Sequence, residues 1–354
     1  MTGAFTTIPI VSLEPWTSGS DDDRRRLADQ VRSHCHEVGF LVLVDHGIET
    51  AFVDDVFAMM RRLFALPEAD KLLIDKRRSP HFRGWEATGS EYTNNRPDFR
   101  EQVDLWSEHP ARAPGADPAY LHLLGPNQWF PEVVLPGYRQ LLIDWFERMG
   151  DLARTLMQVF SVGLGLEPDH IDGRFGDEQM SLTKLIHYPP TPPGQAGVNA
   201  HHDAGFLTIL APGETPGLQV RNPDGDWVGV EAGPGSFVIN IGEMLQGMTA
   251  NYFVATAHRV ITEAERYSAG YFHGPSLGTP LTPLPLPPAL LDAVAASPRH
   301  ANAGWMALRR ETDAGVGDMA SSHKPSTYGE QLWNYFSRSY PDMVASHYPD
   351  LVDA

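Results

Sequence analysis

His201 and Asp203 stand two positions apart, and His258 follows 55 positions beyond Asp203. In an extended segment the side chains at i and i+2 point the same way. The first pair can therefore present an imidazole and a carboxylate on one side of a strand. His258 can join them only if a distant strand is brought back alongside, as in a barrel whose neighbouring strands are far apart in sequence. Two imidazoles and one carboxylate on one face of a metal leave three positions open, which suits a non-haem Fe(II) centre that must hold a cosubstrate and O2 together. Ligand type alone admits Fe(II), Mn(II), Co(II) or Zn(II). A decoy of the same spacing, His170-Ile171-Asp172, follows the run Gly163–Pro168, which reads as a helix exit, and no second histidine follows it in comparable context. His202, adjacent to Asp203, is expected to point away from it and to make a hydrogen bond near the site, with an alternative ligand register as the other reading.

The hydrophobic period places these residues. Ser20 and Asp23 form a capping pair that opens a helix over Asp21–Val38, and a second helix covers about Ala51–Phe64. Leu141, Leu142, Trp145, Phe146, Met149, Leu152, Leu156 and Phe160 keep a 3.6-residue stripe from about Gly137 to Gly163. From Ser181 to His273 the period becomes two, with turn chemistry such as Asn222-Pro223-Asp224-Gly225 between short strands. The expected fold class is α+β: a double-stranded β-helix, or jelly-roll, core flanked by helices. The segment Gly278–Ser297 reads as a loop with a short helix. Thr327 and Glu330 cap a C-terminal helix running to Tyr340, near the barrel mouth. With no repeat or linker, the expectation is one globular unit over 1–354. It comprises a mainly helical region to about 175, a jelly-roll core over about 180–275 and C-terminal loop and helices over about 276–354.

Composition narrows the partners. A formal charge of −18 argues against nucleic acid, because phosphate contacts need clustered Lys and Arg. The single cysteine, Cys35, excludes an intramolecular disulfide and suits a reducing compartment. The segment Met1–Phe5 lacks the basic and apolar regions of a signal peptide, and no apolar run approaches the roughly 20 residues of a membrane helix. The expectation is a cytoplasmic protein, a monomer or weak homodimer, acting on a small molecule and touching neither membrane nor nucleic acid.

Ordered motifs surround the His and Asp residues. Tyr188-Pro189-Pro190 closes an alternating strand, then come Ala200–Leu210, Gly217-Leu218-Gln219-Val220, Val238–Glu243, Thr256–Val260 and Arg266–Phe272. Earlier lie Ile8–Val11, Gly39–Ile48, Phe64–Pro67, Arg83-Gly84-Trp85 and Gly125–Pro131. In order, spacing and content, over roughly residues 5–345, the chain resembles the isopenicillin N synthase-like family of Fe(II)/2-oxoglutarate dioxygenases, in particular a bacterial member. The resemblance implies Fe(II) on His201, Asp203 and His258, with O2 and 2-oxoglutarate as cosubstrates. It also implies that Arg266 and Ser268 hold the distal carboxylate of 2-oxoglutarate, a role for which a planar guanidinium and a hydroxyl are suited. Tyr188 adds to that grip or forms part of the wall; the Asn that plant members carry two residues before it is Ile186 here. Asn240 is either a strand-end amide or a residue near the iron.

Substrate contacts are expected from Arg83, Glu91, Thr93, His187, Phe272 and Phe336. The segment Arg83–Phe99 resembles a loop of bacterial members that include ethylene-forming enzymes, although the arginine those enzymes place before the aromatic-Pro-Pro turn is His187 here and their Tyr after the metal-binding Asp is Ala204. The implied activity is oxidation of a C–H bond in a small metabolite, as in secondary metabolism, with release of succinate and CO2. Hydroxylation is the default outcome, and desaturation or cyclisation the others. The alternatives are a 2-oxoglutarate-independent Fe(II) oxidase like isopenicillin N synthase, whose Arg-x-Ser pair binds the substrate's own carboxylate, and a non-catalytic metabolite-binding barrel.

Overall fold

The structure, a computed structural model, describes residues 4–93, 96–301 and 326–351. The C-terminal region expected over 276–354 therefore lies partly outside the described residues. The strands are β1 (Ile10–Ser12), β2 (Phe40–Val44), β3 (Gly84–Glu86), β4 (Tyr92–Thr93), β5 (Arg96–Pro97), β6 (Glu101–Trp106) and β7 (Leu182–Tyr188). They continue as β8 (Val198–His201), β9 (Leu207–Ala211), β10 (Leu218–Arg221), β11 (Trp227–Gly229), β12 (Phe237–Ile241), β13 (His258–Val260) and β14 (Arg266–His273). A large sheet runs β1-β2-β12-β9-β14-β7-β6-β3, and a smaller one runs β11-β10-β13-β8. Two facing sheets with ligand-bearing strands remote in sequence make the expected jelly roll.

Strand alternation sorts the large sheet into two faces. Leu41, Leu185, Ile209, Ile239, Ala269 and Tyr271 point outward into a core shared with the helices. The helix Tyr138–Gly163 supplies Leu142, Trp145, Met149, Leu152, Leu156 and Phe160 of its stripe to that core, with Leu141 and Phe146 partly buried against it. Phe40, Val42, Ile186, Tyr188 and Val238 point inward and meet Val198, Leu218, Val220 and Val260 of the small sheet. The inner face is therefore apolar at one end, and its polar residues stand out.

The helix starts are chemically specified. Ser20 caps Asp21–Glu37: its hydroxyl accepts from the Asp23 amide at 3.3 Å, and the Asp23 carboxylate accepts from the Ser20 amide at 2.9 Å. Thr327 likewise accepts from the Glu330 amide at 3.3 Å and opens the helix Tyr328–Ser339. That helix lies over the β6 end of the large sheet, with Phe336 packed on Trp106 and Phe82.

Candidate metal and cosubstrate site

His201 ends β8 and His258 begins β13, and the two are direct cross-strand partners with ring centroids 4.2 Å apart. Asp203 lies just beyond β8, and Nε2 of each histidine is 3.5 Å from its Oδ1. The three donor atoms lie within 4.8 Å of one another, and no other such group of three occurs among the described residues. That separation can be spanned by one divalent ion with bonds of roughly 2 Å. Nδ1 of His201 is 2.9 Å from the Asn199 carbonyl, and Nδ1 of His258 is 3.1 Å from the Thr256 carbonyl. Those contacts put the proton on Nδ1 and turn Nε2 toward Asp203. On the other side, Asp203 Oδ2 accepts from Thr208 Oγ1 at 2.5 Å and Asn240 Nδ2 at 2.7 Å, so Oδ1 is left for a metal. Burial pushes the Asp203 carboxyl up, but the adjacent His258 and His201 outweigh it and hold the group well below the usual carboxylate range. Burial lowers His201, but Asp203, the Asn199 carbonyl and Asp98 together raise it above the usual imidazole value.

Beside this triad lies a carboxylate receptor. Arg266, only 1% exposed, and Ser268 sit on the inner face of β14, opposite Tyr188 and Ile186 of β7. The Arg266 guanidinium lies 5.0 Å from the Tyr188 ring centroid and donates through Nη2 to the Pro212 carbonyl at 3.0 Å. Its Nε and Nη1, and the Ser268 hydroxyl, make no hydrogen bond among the described residues. Buried donors left unspent are costly, and a carboxylate arriving at the Arg266 fork would satisfy them. The donor set of the triad and these orphaned atoms fit a divalent metal and a dicarboxylic cosubstrate. Phe272 faces Thr208 across β14 and β9, which places it on the same inner face as a half-buried wall. Two surface clefts among the described residues, about 410 Å³ beside Phe57 and Tyr267 and about 300 Å³ beside Trp85 and Tyr340, are lined by residues other than the triad.

The other expected substrate residues are engaged elsewhere. His187 alternates with Tyr188 and so projects from the outer face, between Glu101 at 2.9 Å and Glu265 at 3.0 Å and stacked on Tyr267. Replacing His187 by Ala is expected to cost about 1 kcal/mol of stability and to leave coupled product yield unchanged, read by denaturant unfolding and product assay. Arg83 is fully buried and donates to the carbonyls of His81, Leu123 and Ser107, contacts that fasten loops. Phe336 is core, packed among Phe82, Trp106 and Tyr340. Glu91 is neither solvated nor free: Arg100 at 2.6 Å, Lys184 at 3.2 Å and the Tyr335 hydroxyl at 3.2 Å all hold it. Burial pushes its carboxyl up, yet Lys184, Arg100 and Lys76 keep it far below the usual range. Thr93 donates to Asp98 at 2.7 Å. His202 is not a member of the donor cluster.

Asp98, to which the sequence alone assigns no role, ties this region to the triad. Its carboxylate accepts from Thr93, from Arg100 at 3.1 Å, and from both the amide and the side chain of Asn199 at 3.0 and 2.9 Å. The Asn199 carbonyl in turn orients His201. Replacing Asp98 by Ala leaves Arg100 buried beside one fewer carboxylate. The expected loss is about 3–5 kcal/mol, read as a lower urea midpoint, with metal affinity reduced roughly ten- to hundredfold in calorimetric titration.

Residues 8–132 match the model for the non-haem dioxygenase in morphine synthesis N-terminal domain, and residues 178–275 match that for the 2OG-Fe(II) oxygenase superfamily. The chain is 32% identical over 306 residues to the 2-oxoglutarate-dependent dioxygenase frbJ of Dothideomycetidae sp., covering 83% of this chain and 82% of that protein. It is 30% identical over 298 residues to the homoarginine-6-hydroxylase 2-ODD-C23 of Glycine max, covering 79% and 89%. Among solved structures, Neurospora crassa T7H in complex with alpha-KG superposes with a TM-score of 0.70 at 25% identity, covering 78% of this chain and 88% of that one. The matched segment 178–275 holds every residue of the triad and of the carboxylate receptor, and with the relatives' extended identity it leads to one conclusion: the chain belongs to the 2OG-Fe(II) oxygenase superfamily.

Proposed function

We propose that this protein is a 2-oxoglutarate-dependent dioxygenase in which His201, Asp203 and His258 hold Fe(II), and Arg266, Ser268 and Tyr188 hold 2-oxoglutarate, for hydroxylation of a C–H bond in a small metabolite. The observation that carries this reading is the set of unspent donors on Arg266 and Ser268, buried on the inner face that also presents Thr208 and Asn240 to Asp203. Fe(II), when bound, supplies the redox chemistry by which 2-oxoglutarate and O2 become succinate and CO2 as the substrate is oxidised. The chain's own part is orientation and exclusion of water. Thr208 and Asn240 fix the Asp203 carboxylate, the Asn199 and Thr256 carbonyls fix the two imidazoles, and Arg266, beside the Tyr188 ring, would hold a carboxylate of 2-oxoglutarate. Ile186, Phe40 and Val238 keep water from the inner face, so these polar contacts act in a low dielectric.

The relatives compared above are fungal and plant proteins and give no support to the bacterial placement suggested by the segment 83–99. The hydroxylase among them supports hydroxylation as the outcome. We also read the helical half and the barrel as one folding unit, because one core cluster runs from Val11 to Val344. No helix of the described residues is long and apolar enough to cross a membrane. The lone, buried Cys35 and the charge of −18 support a cytoplasmic enzyme acting on a small molecule. The test is stoichiometry: one succinate per product is expected. Product formed without succinate would instead assign Arg266 and Ser268 to the substrate's own carboxylate.

A further inference from the structure

A second buried polar group lies on the same inner face, and among its members Asp98 steadies His201 through Asn199. Ser268 pairs with Ile186, and Ile186 pairs with Gln102. Directly paired residues share a face, so Gln102 lies two strand spacings, about 10 Å, from Ser268 on the inner side. One row along, Gly270, Lys184 and Asp104 are aligned in the same way. Four carboxylates meet here, Glu86, Glu91, Asp98 and Asp104, with three cations, Lys76, Arg100 and Lys184.

The cations are already committed. Lys76 Nζ donates to Glu86, to Asp104 and to the Tyr340 hydroxyl. Lys184 Nζ donates to Glu91 and Asp104. Arg100 Nη2 donates to Glu91 and Asp98, and its buried Nε has no partner among the described residues. Acceptors are in surplus. Asp104 Oδ1 and Gln102 Oε1 accept no hydrogen bond among the described residues, and those side chains are 3% and 1% exposed. A buried group with one carboxylate in excess and two unmet acceptors is stabilised by an incoming cation that donates hydrogen bonds and repels an incoming anion.

We propose that the prime substrate carries a cationic nitrogen group, an ammonium or a guanidinium, that docks on Asp104 Oδ1 and Gln102 Oε1. This rests on the oxygenase reading above, with the substrate's carbon skeleton running along the inner face toward the triad.

The test uses the full chain loaded with Mn(II) and 2-oxoglutarate, and binding measured by calorimetry and thermal shift. Agmatine and 1,5-pentanediamine are the cationic probes, 1,5-pentanediol the neutral one and hexanoate the anionic one. Agmatine is expected to bind at least tenfold more tightly than 1,5-pentanediol or hexanoate. Gln102→Glu should strengthen agmatine binding, and Gln102→Leu should weaken it about tenfold or more, with 2-oxoglutarate affinity unchanged in both. Retained 2-oxoglutarate binding certifies that each variant is folded; if one variant fails this check, the other and the probe series on the unmodified protein decide. Agmatine binding no better than 1,5-pentanediol, or equal in a folded Gln102 variant and the unmodified chain, overturns the cationic substrate while leaving the oxygenase reading intact. Failure of the Mn(II)-loaded, unmodified protein to bind 2-oxoglutarate overturns both.

Discussion

His258→Ala is expected to leave a folded protein with Fe(II)-dependent succinate release reduced more than about a hundredfold. Removing a residue that only orients a metal ligand already costs roughly ten- to hundredfold in affinity or activity, and removing a ligand exceeds that. The fold should survive because little else depends on this ring. It has a 3.1 Å contact with the Thr256 carbonyl and an edge contact with Phe40 at 5.2 Å, while β13 stays paired to β10 and β8 through its backbone. Unfolding midpoint and metal-dependent turnover, measured on the same preparation, separate the two effects. Turnover near that of the unmodified protein would remove His258 from the metal site.

Arg266→Lys comes next in size. The substitution keeps the charge and loses the planar fork, and a lysine Nζ cannot present the Nε and Nη1 pair that stands unspent beside Ser268. Loss of a charge-assisted bidentate contact is worth about 2–4 kcal/mol, or roughly a 30- to 700-fold weaker affinity for 2-oxoglutarate. Equilibrium binding to the Mn(II)-loaded protein reads this directly. Unchanged 2-oxoglutarate binding alongside a collapse in substrate binding would move Arg266 to the substrate and favour the oxidase alternative.

What could be read in the chain before folding was what is local. The helix beginning at Asp21 is written in Ser20 and Asp23, and the strand character of 182–188 in its alternation. The triad was legible because His201 and Asp203 share a face and the motifs around them are ordered. Alternation also held a warning about His187: once Tyr188 points inward, its neighbour must point outward, as the Glu101 and Glu265 contacts bear out. The same rule applied to Phe237–Ile241 puts Asn240 on the inner side, where it holds Asp203. The buried charges were beyond local reading. Glu91 meets Lys184 across 93 positions, and Asp98 meets Asn199 across 101, contacts that exist only once β6 has paired with β7 and the loop after β5 has reached β8. Arg83 was opaque for a related reason, since its partners are backbone carbonyls that carry no residue identity.

The most direct measurement is calorimetric titration of 2-oxoglutarate into the protein, without O2, with and without Fe(II). One 2-oxoglutarate per chain is expected when Fe(II) is present, with binding strongly weakened when Fe(II) is withheld or when His258 or Arg266 is replaced. Binding of 2-oxoglutarate at the same affinity with and without Fe(II), undisturbed by either substitution, would contradict a joint site built from His201, Asp203, His258 and Arg266.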